Sequence, residues 1–360
     1  MAFPFTEDHD MIRDAARGFL QDWYDSGKGP ERIYHSGEGF DAAAWRGFAV
    51  ELGMAGIAID EAYGGAGLGD LGRVVVMEEL GASLCSIPFS PSSTIAADML
   101  TALGTDAAKQ EWLPKLASGE LIAAYCDGHD ALSASNGKLS GRVNNVLYAA
   151  QADVLFMSLR HNQHYRLIAI TAGVDGFTTQ AIDTMDPTRS LANVTLDGFS
   201  MDSVTVLGEG TPTQFDRVVK TSLIALAAES VGGAQHCLDM TLEYTKQRVQ
   251  FNRTIASFQA VKHRCADMYT AIESARSAVY AAALAEGDKK LELSLIAKAY
   301  ATDAFFDVAG HAIQLHGGIG FTWEYPLHYY FKRARANRAV FGSSARDYAS
   351  LADQLLGEVA

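Results

Sequence analysis

Two stretches carry the most specific pattern in the chain: Arg248-Val249-Gln250-Phe251-Asn252-Arg253-Thr254-Ile255 and Gln314-Leu315-His316-Gly317-Gly318-Ile319-Gly320-Phe321. An arginine guanidinium can bind a phosphate through two parallel hydrogen bonds. A glycine pair lets the backbone approach a ligand closely, because no side chain intervenes. These residues suit a ligand that contains phosphate. The alternative is a surface arginine and two glycines that only end a helix.

Both stretches belong to a region of long helical segments. The segments run from Phe215 to Val249, from Val261 to Leu284 and from Leu291 to Leu315, and the last ends at a glycine pair. Long helices with short connections are typical of an antiparallel bundle. We therefore assign residues 212–360 to a C-terminal four-helix bundle.

Upstream of the bundle, the apolar residues recur with a period of two. Ala192, Val194 and Leu196 alternate with polar residues, and Val154–Leu159 and Leu167–Thr171 are short apolar runs. Such runs, separated by turn residues, predict strands with one buried face. Residues 123–211 are therefore expected to form a small middle β domain, a barrel or a sandwich, and we take a β-barrel as the working assignment.

Residues 1–122 have a helical pattern. Ile12, Ala16, Phe19 and Trp23 form one apolar stripe, and Thr6 with the following acids is a suitable helix start. The sequence thus predicts an α+β fold that is mostly α, with an N-terminal helical domain, a middle β domain and a C-terminal helical bundle.

The composition excludes several kinds of partner. The net charge is −14, which argues against binding to nucleic acid or to anionic membranes. The four cysteines are far apart and lack metal-ligand spacing, so we expect neither disulfides nor a zinc site. The sequence shows no signal peptide pattern and no apolar stretch of about 18 residues. We therefore expect a cytoplasmic protein without membrane insertion.

The sequence resembles the acyl-CoA dehydrogenase family. The first stretch, continued to Gln259, is similar to the family motif R-x-x-F-G-x-x-I-x-x-x-Q, and the second is similar to Q-x-x-G-G-x-G-[FY]. Weaker matches follow in family order at Tyr63-Gly64-Gly65, Glu78-Glu79-Leu80-Gly81, Trp112-Leu113-Pro114, Asp186–Arg189 and Leu207–Gly210.

The resemblance implies an FAD-dependent enzyme that dehydrogenates an acyl-CoA and passes electrons to an electron-transfer flavoprotein or a similar acceptor. It also implies that part of the FAD site is contributed across a subunit interface. The residues that would reach the neighbouring subunit's FAD are Arg248, Phe251, Gln259, Gln314, Gly317 and Gly318. Asn252 stands where the family usually has glycine.

The chain departs from the family at the catalytic base. One family position for the base glutamate corresponds to Gly342, and the position used by a minority of members corresponds to Ser222. Glu229 lies near the second position, but the family has a small residue there, so we do not assign it as the base. A positioned base contributes roughly 10²–10⁴ in rate, so the chain's own site is expected to be a poor catalyst.

The flavin-binding segment T-E-P-x-x-G-S-D is also absent. The corresponding residues, Ala124–Ser133, include Cys126 and Asp127, for which a redox or replacement-base role is less expected than a structural one. The basic run formed by Lys332, Arg333, Arg335 and Arg338 is expected to be a solvated helix face.

These losses, together with the retained motifs, resemble the base-less subunit of α2β2 heterotetrameric bacterial acyl-CoA dehydrogenases that act on steroid side-chain CoA thioesters. That resemblance implies a base-bearing paralogue as partner, a role in steroid degradation, and an isolated chain that is inactive. The alternatives are a degenerate or misaligned homotetrameric enzyme, a flavin-free structural paralogue, and a different flavoenzyme on the same fold.

Overall fold

The computed structural model describes residues 5–357, apart from the side chains of Lys28, Gln354 and Leu355. The outermost residues of the predicted first and last domains, 1–4 and 358–360, lie outside the described residues. The chain divides into two compact units. The first comprises Met1–Arg32, Val74–Cys85 and Leu223–Ala360, and the second comprises Ile33–Arg73 and Ser86–Ser222.

The helices occur before and after a block of strands. They are α1 (Glu7–Trp23), α2 (Pro30–Ser36), α3 (Ala42–Trp45), α4 (Gly69–Ser83), α5 (Ala97–Leu103), α6 (Asp106–Ala117), α7 (Pro212–Ser222), α8 (Ile224–Gln247), α9 (Gln259–Ala283), α10 (Gly287–His316), α11 (Leu327–Asn337) and α12 (Ser344–Leu356). Thr6 is the N-cap of α1, as predicted, and its backbone N donates to His9 Nδ1 at 3.2 Å.

The strand block begins after α6. Its strands are β1 (Ala123–Asp127), β2 (Leu132–Ser135), β3 (Lys138–Leu147), β4 (Val154–His161), β5 (His164–Thr171), β6 (Phe177–Ala181), β7 (Leu191–Ser200) and β8 (Thr205–Gly210). Two further strands, β9 (Val249–Gln250) and β10 (Arg253–Thr254), form a short hairpin after α8. The order of helices, strands and helices follows the prediction, and the domain limits at residues 122 and 211 stay a prediction.

The strand block consists of two four-stranded sheets, in the orders β1-β4-β5-β8 and β2-β3-β7-β6. Only the β1–β4 pair is parallel among these neighbours. The predicted alternation in β7 is confirmed, since Ala192, Val194 and Leu196 are buried. The fold class is thus confirmed, but the expected closed barrel is wrong. Each sheet ends at an edge strand that joins no further strand of the described chain.

The core of the second unit lies between the first sheet and helices α5 and α6. Phe156 of β4 is fully buried and packs edge-to-face on Trp112 of α6, with ring centroids 5.8 Å apart. Leu100 of α5 and Leu167 of β5 are also fully buried. Burial of this apolar surface is the main stabilising contribution to the unit.

The first unit is a helical assembly in which α10 packs against α8, α9, α11 and α12. Helices α4 and α8 approach so closely that a Cβ atom on Gly232 would lie 1.8 Å from the Glu78 carbonyl oxygen. A Cβ atom on Gly81 would lie 2.0 Å from the Glu229 carbonyl oxygen. This crossing therefore requires glycine on both helices.

The other expectations from composition can also be compared with the structure. All four cysteines are buried and free, as expected. The described part of the chain holds no cluster of His, Cys, Asp and Glu that could bind a metal ion. None of the described helices combines the length and the apolar composition that crossing a membrane requires.

Gly232→Ala tests the helix crossing. We expect the added methyl group to lower the free energy of unfolding by about 3 kcal/mol, because it collides with backbone atoms that cannot rotate away. The matched control is Gly18→Ala, since Gly18 lies in α1 and has no atom within 4 Å of the place that a Cβ would take. That control should be neutral or stabilising by up to about 1 kcal/mol. Equal stability of the two variants in urea denaturation would contradict the crossing geometry.

Candidate functional site

The end of α8 exposes an arginine. Arg248 leaves the helical conformation at φ −70° and ψ 120°, and its backbone N still donates to the Tyr244 carbonyl oxygen at 2.8 Å. Its own carbonyl oxygen accepts from the Ile255 N–H at 2.9 Å, which closes the hairpin of β9 and β10. The Arg248 side chain is exposed and has no ion-pair partner among residues 5–357. Its guanidinium is therefore available to an anion.

The hairpin turn uses the left-handed backbone region. Phe251 and Asn252 have φ angles of 54° and 61°. Asparagine is among the non-glycine residues that adopt this region most readily, so the replacement of the family glycine preserves the turn. Phe251 is 85% exposed, and its ring meets Phe258 edge-to-face at 6.0 Å. The turn thus presents an aromatic ring outward beside the arginine.

The glycine pair follows directly after α10. Gly317 has φ 63° and ends the helix, and its backbone N–H donates to the Gln314 carbonyl oxygen. No atom lies within 4 Å of the place that a Cβ would take on Gly317 or on Gly318. Both glycines and Gln314 are exposed. A ligand can therefore approach this backbone without meeting protein atoms.

Side-chain contacts bring these elements to one end of the helical unit. The ring of Tyr244, one turn before Arg248, stacks on His316 with centroids 4.3 Å apart. Arg264 of α9 contacts His311 of α10 at 2.9 Å, which brings together the helix segments that carry Gln259 and Gln314. All six residues predicted to reach a neighbouring flavin, including Gln259, are exposed.

Gly342, the first position predicted for a base, lies in a loop that is bound to a buried lysine. Gly342 has φ 109°, a conformation that side-chain-bearing residues rarely adopt. Its carbonyl oxygen accepts a hydrogen bond from Lys298 Nζ at 2.5 Å, and Lys298 also pairs with Asp347 at 2.7 Å. The Lys298 side chain is completely buried. A buried cation therefore anchors the loop at the position where the family has its carboxylate.

The second position predicted for a base is a buried hydroxyl. Ser222 Oγ donates to Asp98 Oδ2 at 2.6 Å. Asp98 in turn forms an ion pair with Arg73 at 2.6 Å, and Arg73 also pairs with Asp70. The carboxylate that Ser222 contacts is thus already paired with a buried guanidinium.

Glu229 also forms an ion pair. Its carboxylate forms a buried ion pair with Arg333 of α11. The expectation that Arg333 belongs to a solvated basic face is therefore wrong. Arg333 lies on the face of α11 that packs inward, beside the buried Asn337, whose amide donates to Ser230 Oγ at 3.0 Å. Burying two opposite charges together avoids the large penalty for a single buried charge.

The segment in place of the family's flavin-binding motif holds a buried thiol and an exposed polar cluster. Cys126 is buried in β1, and burial raises the pKa of its thiol far above the usual range. The thiol is therefore protonated at neutral pH, which disfavours redox chemistry. Asp127 accepts a hydrogen bond from Ser158 at 2.6 Å and contacts His129. These contacts support the expected structural role.

Sequence reasoning missed two residues at these positions, Tyr244 and Lys298. Lys298 had a signal, because it is a lysine surrounded by Leu295, Ile296, Ala297 and Ala299 in the middle of an apolar helix segment. A lysine in such surroundings is buried only with a partner. Tyr244 had no local signal, since its contact with His316 joins positions 72 residues apart.

Comparison with known proteins gives matches over most of the chain. Residues 6–120 match the model "Acyl-CoA dehydrogenase, N-terminal domain", and residues 216–356 match "Acyl-CoA dehydrogenase, C-terminal domain". The chain is 32% identical over 338 residues to the acyl-CoA dehydrogenase IpdE2 of Mycolicibacterium smegmatis, covering 94% of this chain and 95% of that protein.

Two solved structures are similar along nearly the whole chain. One is the ChsE4-ChsE5 complex from Mycobacterium tuberculosis, with a TM-score of 0.88, 26% identity and full coverage of both chains (100% each). The other is a variant of the Tcur3481-Tcur3483 steroid ACAD, with a TM-score of 0.84, 27% identity and coverage of 97% of this chain and 98% of that chain.

Lys298→Met tests whether the buried cation holds the loop. We expect a loss of about 3–5 kcal/mol of unfolding free energy, because Asp347 and the Gly342 carbonyl oxygen lose their buried partner. The matched control is Lys289→Met, since Lys289 is on the same helix and its side chain is 60% exposed. The control should change stability by no more than about 0.5 kcal/mol. Similar denaturation midpoints for both variants would show that the loop does not depend on Lys298.

Proposed function

Because this chain belongs to the acyl-CoA dehydrogenase family, we propose that it is the base-less subunit of a heteromeric acyl-CoA dehydrogenase. In this arrangement it completes an FAD site on a partner subunit that carries the catalytic carboxylate. The observation that carries the proposal is a contrast between the residues for FAD binding and the positions for the catalytic base. The residues for a lent FAD half-site are exposed together, whereas both base positions lack a carboxylate.

FAD is the cofactor of this family, and the exposed residues suit it. Arg248 would bind the pyrophosphate, because its guanidinium has no ion-pair partner among the described residues. Gly317 and Gly318 leave room for the backbone to approach phosphate. Gln259 and Gln314 would donate amide hydrogen bonds, and Phe251 would cover an apolar part of the cofactor. When bound, FAD supplies the hydride acceptor for α,β-dehydrogenation of an acyl-CoA thioester.

Removal of the substrate α-proton requires a positioned base, and this chain offers none at either family position. Gly342 has no side chain, and Ser222 is neutral. The nearby acids Asp98 and Glu229 are each paired with a buried arginine. We therefore expect the isolated chain to be inactive.

The partner is proposed to be a base-bearing paralogue in an α2β2 assembly. The similarity to the ChsE4-ChsE5 complex and to the Tcur3481-Tcur3483 steroid ACAD supports a heteromer that acts on a steroid side-chain CoA thioester. A cytoplasmic location and an electron-transfer flavoprotein or similar acceptor complete the proposal.

Exposed apolar residues near the half-site support the proposal that a partner subunit covers this surface. Phe251, Phe321, Trp323 and Val249 are 85%, 69%, 55% and 54% exposed. All four belong to the two motif stretches or follow them directly. Exposed apolar residues grouped beside a binding site are typical of a subunit interface.

Flavin content tests whether the chain needs a partner to hold FAD. We expect the visible flavin absorption bands in the complex purified after co-expression with a base-bearing paralogue, and none in the chain purified alone. Stoichiometric flavin in the isolated chain, reducible by an acyl-CoA, would contradict the proposal. Flavin in neither preparation would favour a flavin-free structural role.

Arg248→Gln in the co-expressed complex tests the lent half-site. The loss of a charge-assisted contact to phosphate should weaken FAD binding about 10–100-fold, measured by fluorescence titration of the FAD-depleted complex. The control is Arg46→Gln, since the Arg46 side chain is 79% exposed and lies outside both motifs. Equal FAD affinity in the two variants would remove Arg248 from the site.

Gly342→Glu asks whether a carboxylate alone restores activity. We expect no acyl-CoA-dependent dye reduction by the isolated variant, because the chain lacks its own flavin-binding segment. The strained backbone at φ 109° should also cost about 1–3 kcal/mol of stability. Gly18→Glu places the same charge on an exposed helix and should leave stability nearly unchanged. Turnover by the isolated Gly342→Glu chain would show that the chain holds a complete flavin site.

A further inference from the structure

Three aromatic rings pack together at the ends of α8 and α10. His316 lies against Tyr244, with ring centroids 4.3 Å apart and an interplanar angle of 21°. Its ring also contacts Tyr325, at 4.6 Å and 48°. In addition, the Tyr244 hydroxyl donates to the His316 backbone carbonyl oxygen at 3.3 Å. The end of one helix is therefore bound to the end of the other by both ring packing and a hydrogen bond.

The orientation of the His316 ring is determined by its own helix. Nδ1 lies 2.7 Å from the Ala312 carbonyl oxygen, and because a carbonyl oxygen only accepts, Nδ1 carries the proton. The side chain is 3% exposed, and burial lowers the pKa of His316, so the ring is neutral at neutral pH. Nε2 is then a bare acceptor, and it has no donor among the described residues.

A ring chosen only for packing would not need this arrangement. Phenylalanine would fill the same space without burying an unpaired nitrogen, which is unfavourable. The feature that phenylalanine could not reproduce is the Nδ1 hydrogen bond to Ala312, which favours one orientation of the ring. The polar ring therefore serves orientation as well as packing.

The stack lies directly behind the exposed half-site. Tyr244 is one helical turn before Arg248, and His316 immediately precedes Gly317 and Gly318. The Arg248 backbone N also donates to the Tyr244 carbonyl oxygen, so the two residues share one helical hydrogen bond. A shift of either ring would change the separation between the arginine and the glycine pair.

We propose that Tyr244 and His316 are positioning residues that hold Arg248 and the Gly317-Gly318 backbone at the separation required by the FAD pyrophosphate. The inference rests on the proposed function, because it concerns the same lent half-site. A site whose binding groups are held in place before the ligand arrives binds more tightly, since less freedom is lost on binding.

Two conservative substitutions separate positioning from packing, and both retain an aromatic ring of similar size. Tyr244→Phe removes only the hydroxyl that binds the His316 carbonyl oxygen, and His316→Phe removes the Nδ1 donor. In the co-expressed complex we expect each variant to raise the FAD dissociation constant about 3–10-fold, as the loss of one supporting hydrogen bond implies. The circular dichroism of the bound flavin should change as well. The control is Tyr269→Phe, which removes an exposed hydroxyl from α9.

Thermal unfolding of the FAD-free complex supplies the second readout. We expect the midpoint of each variant to stay within about 3 °C of the parent. If FAD affinity and flavin dichroism match the parent in both ring variants while Arg248→Gln weakens FAD, the positioning role is overturned and the half-site stands. If both variants melt much earlier and parental flavin dichroism returns at saturating FAD, the rings are only structural. If Arg248→Gln itself leaves FAD affinity unchanged, the proposed half-site is contradicted, and the positioning role falls with it.

Discussion

The close approach of α4 and α8 is the constraint on which the helical unit depends. Gly81 and Gly232 remove the side chains that would separate the two backbones. Once the helices cross at this distance, Glu78 and Glu79 of α4 are brought to Arg13 and Arg17 of α1, at 3.1 Å and 2.8 Å. The same crossing determines the path of α8, which ends at the exposed Arg248.

The acids near the two base positions are held in ion pairs with buried cations. Glu229 pairs with Arg333, Asp347 with Lys298, and Asp98 with Arg73. In each pair the cation is buried, and a buried cation without its partner would be costly. These acids therefore stabilise the two units. The residues suited to ligand binding are all on the surface.

The exposed half-site and the loop at Gly342 differ in how they are held. Arg248, Phe251 and Gly317 project from helix ends and a hairpin turn, where solvent or another subunit can reach them. Gly342 is bound through its carbonyl oxygen to the fully buried Lys298. The loop at this base position is thus fixed by a buried cation. This contrast is the physical basis for assigning the chain a contributing role in a shared site.

Local patterns in the sequence were sufficient for most of the fold. The stripe around Ile12 and Trp23, the alternation in β7 and the glycine stop after His316 each depend on neighbouring residues, and each is present in the structure. The expected barrel was wrong, because closure depends on which strands meet at the sheet edges. The break between α7 and α8 at Leu223 was also not foreseen, since Phe215 to Val249 has a continuous helical composition.

The sequence by itself determined the order of helices and strands, the family resemblance and the absence of a carboxylate at Gly342 and Ser222, because these are properties of residue identity and short-range spacing. Only the tertiary structure decided that Arg333 is buried against Glu229, that Lys298 anchors the loop, and that Tyr244 stacks on His316. These pairs join residues between 44 and 104 positions apart. Their energies depend on burial and distance, which no local pattern contains.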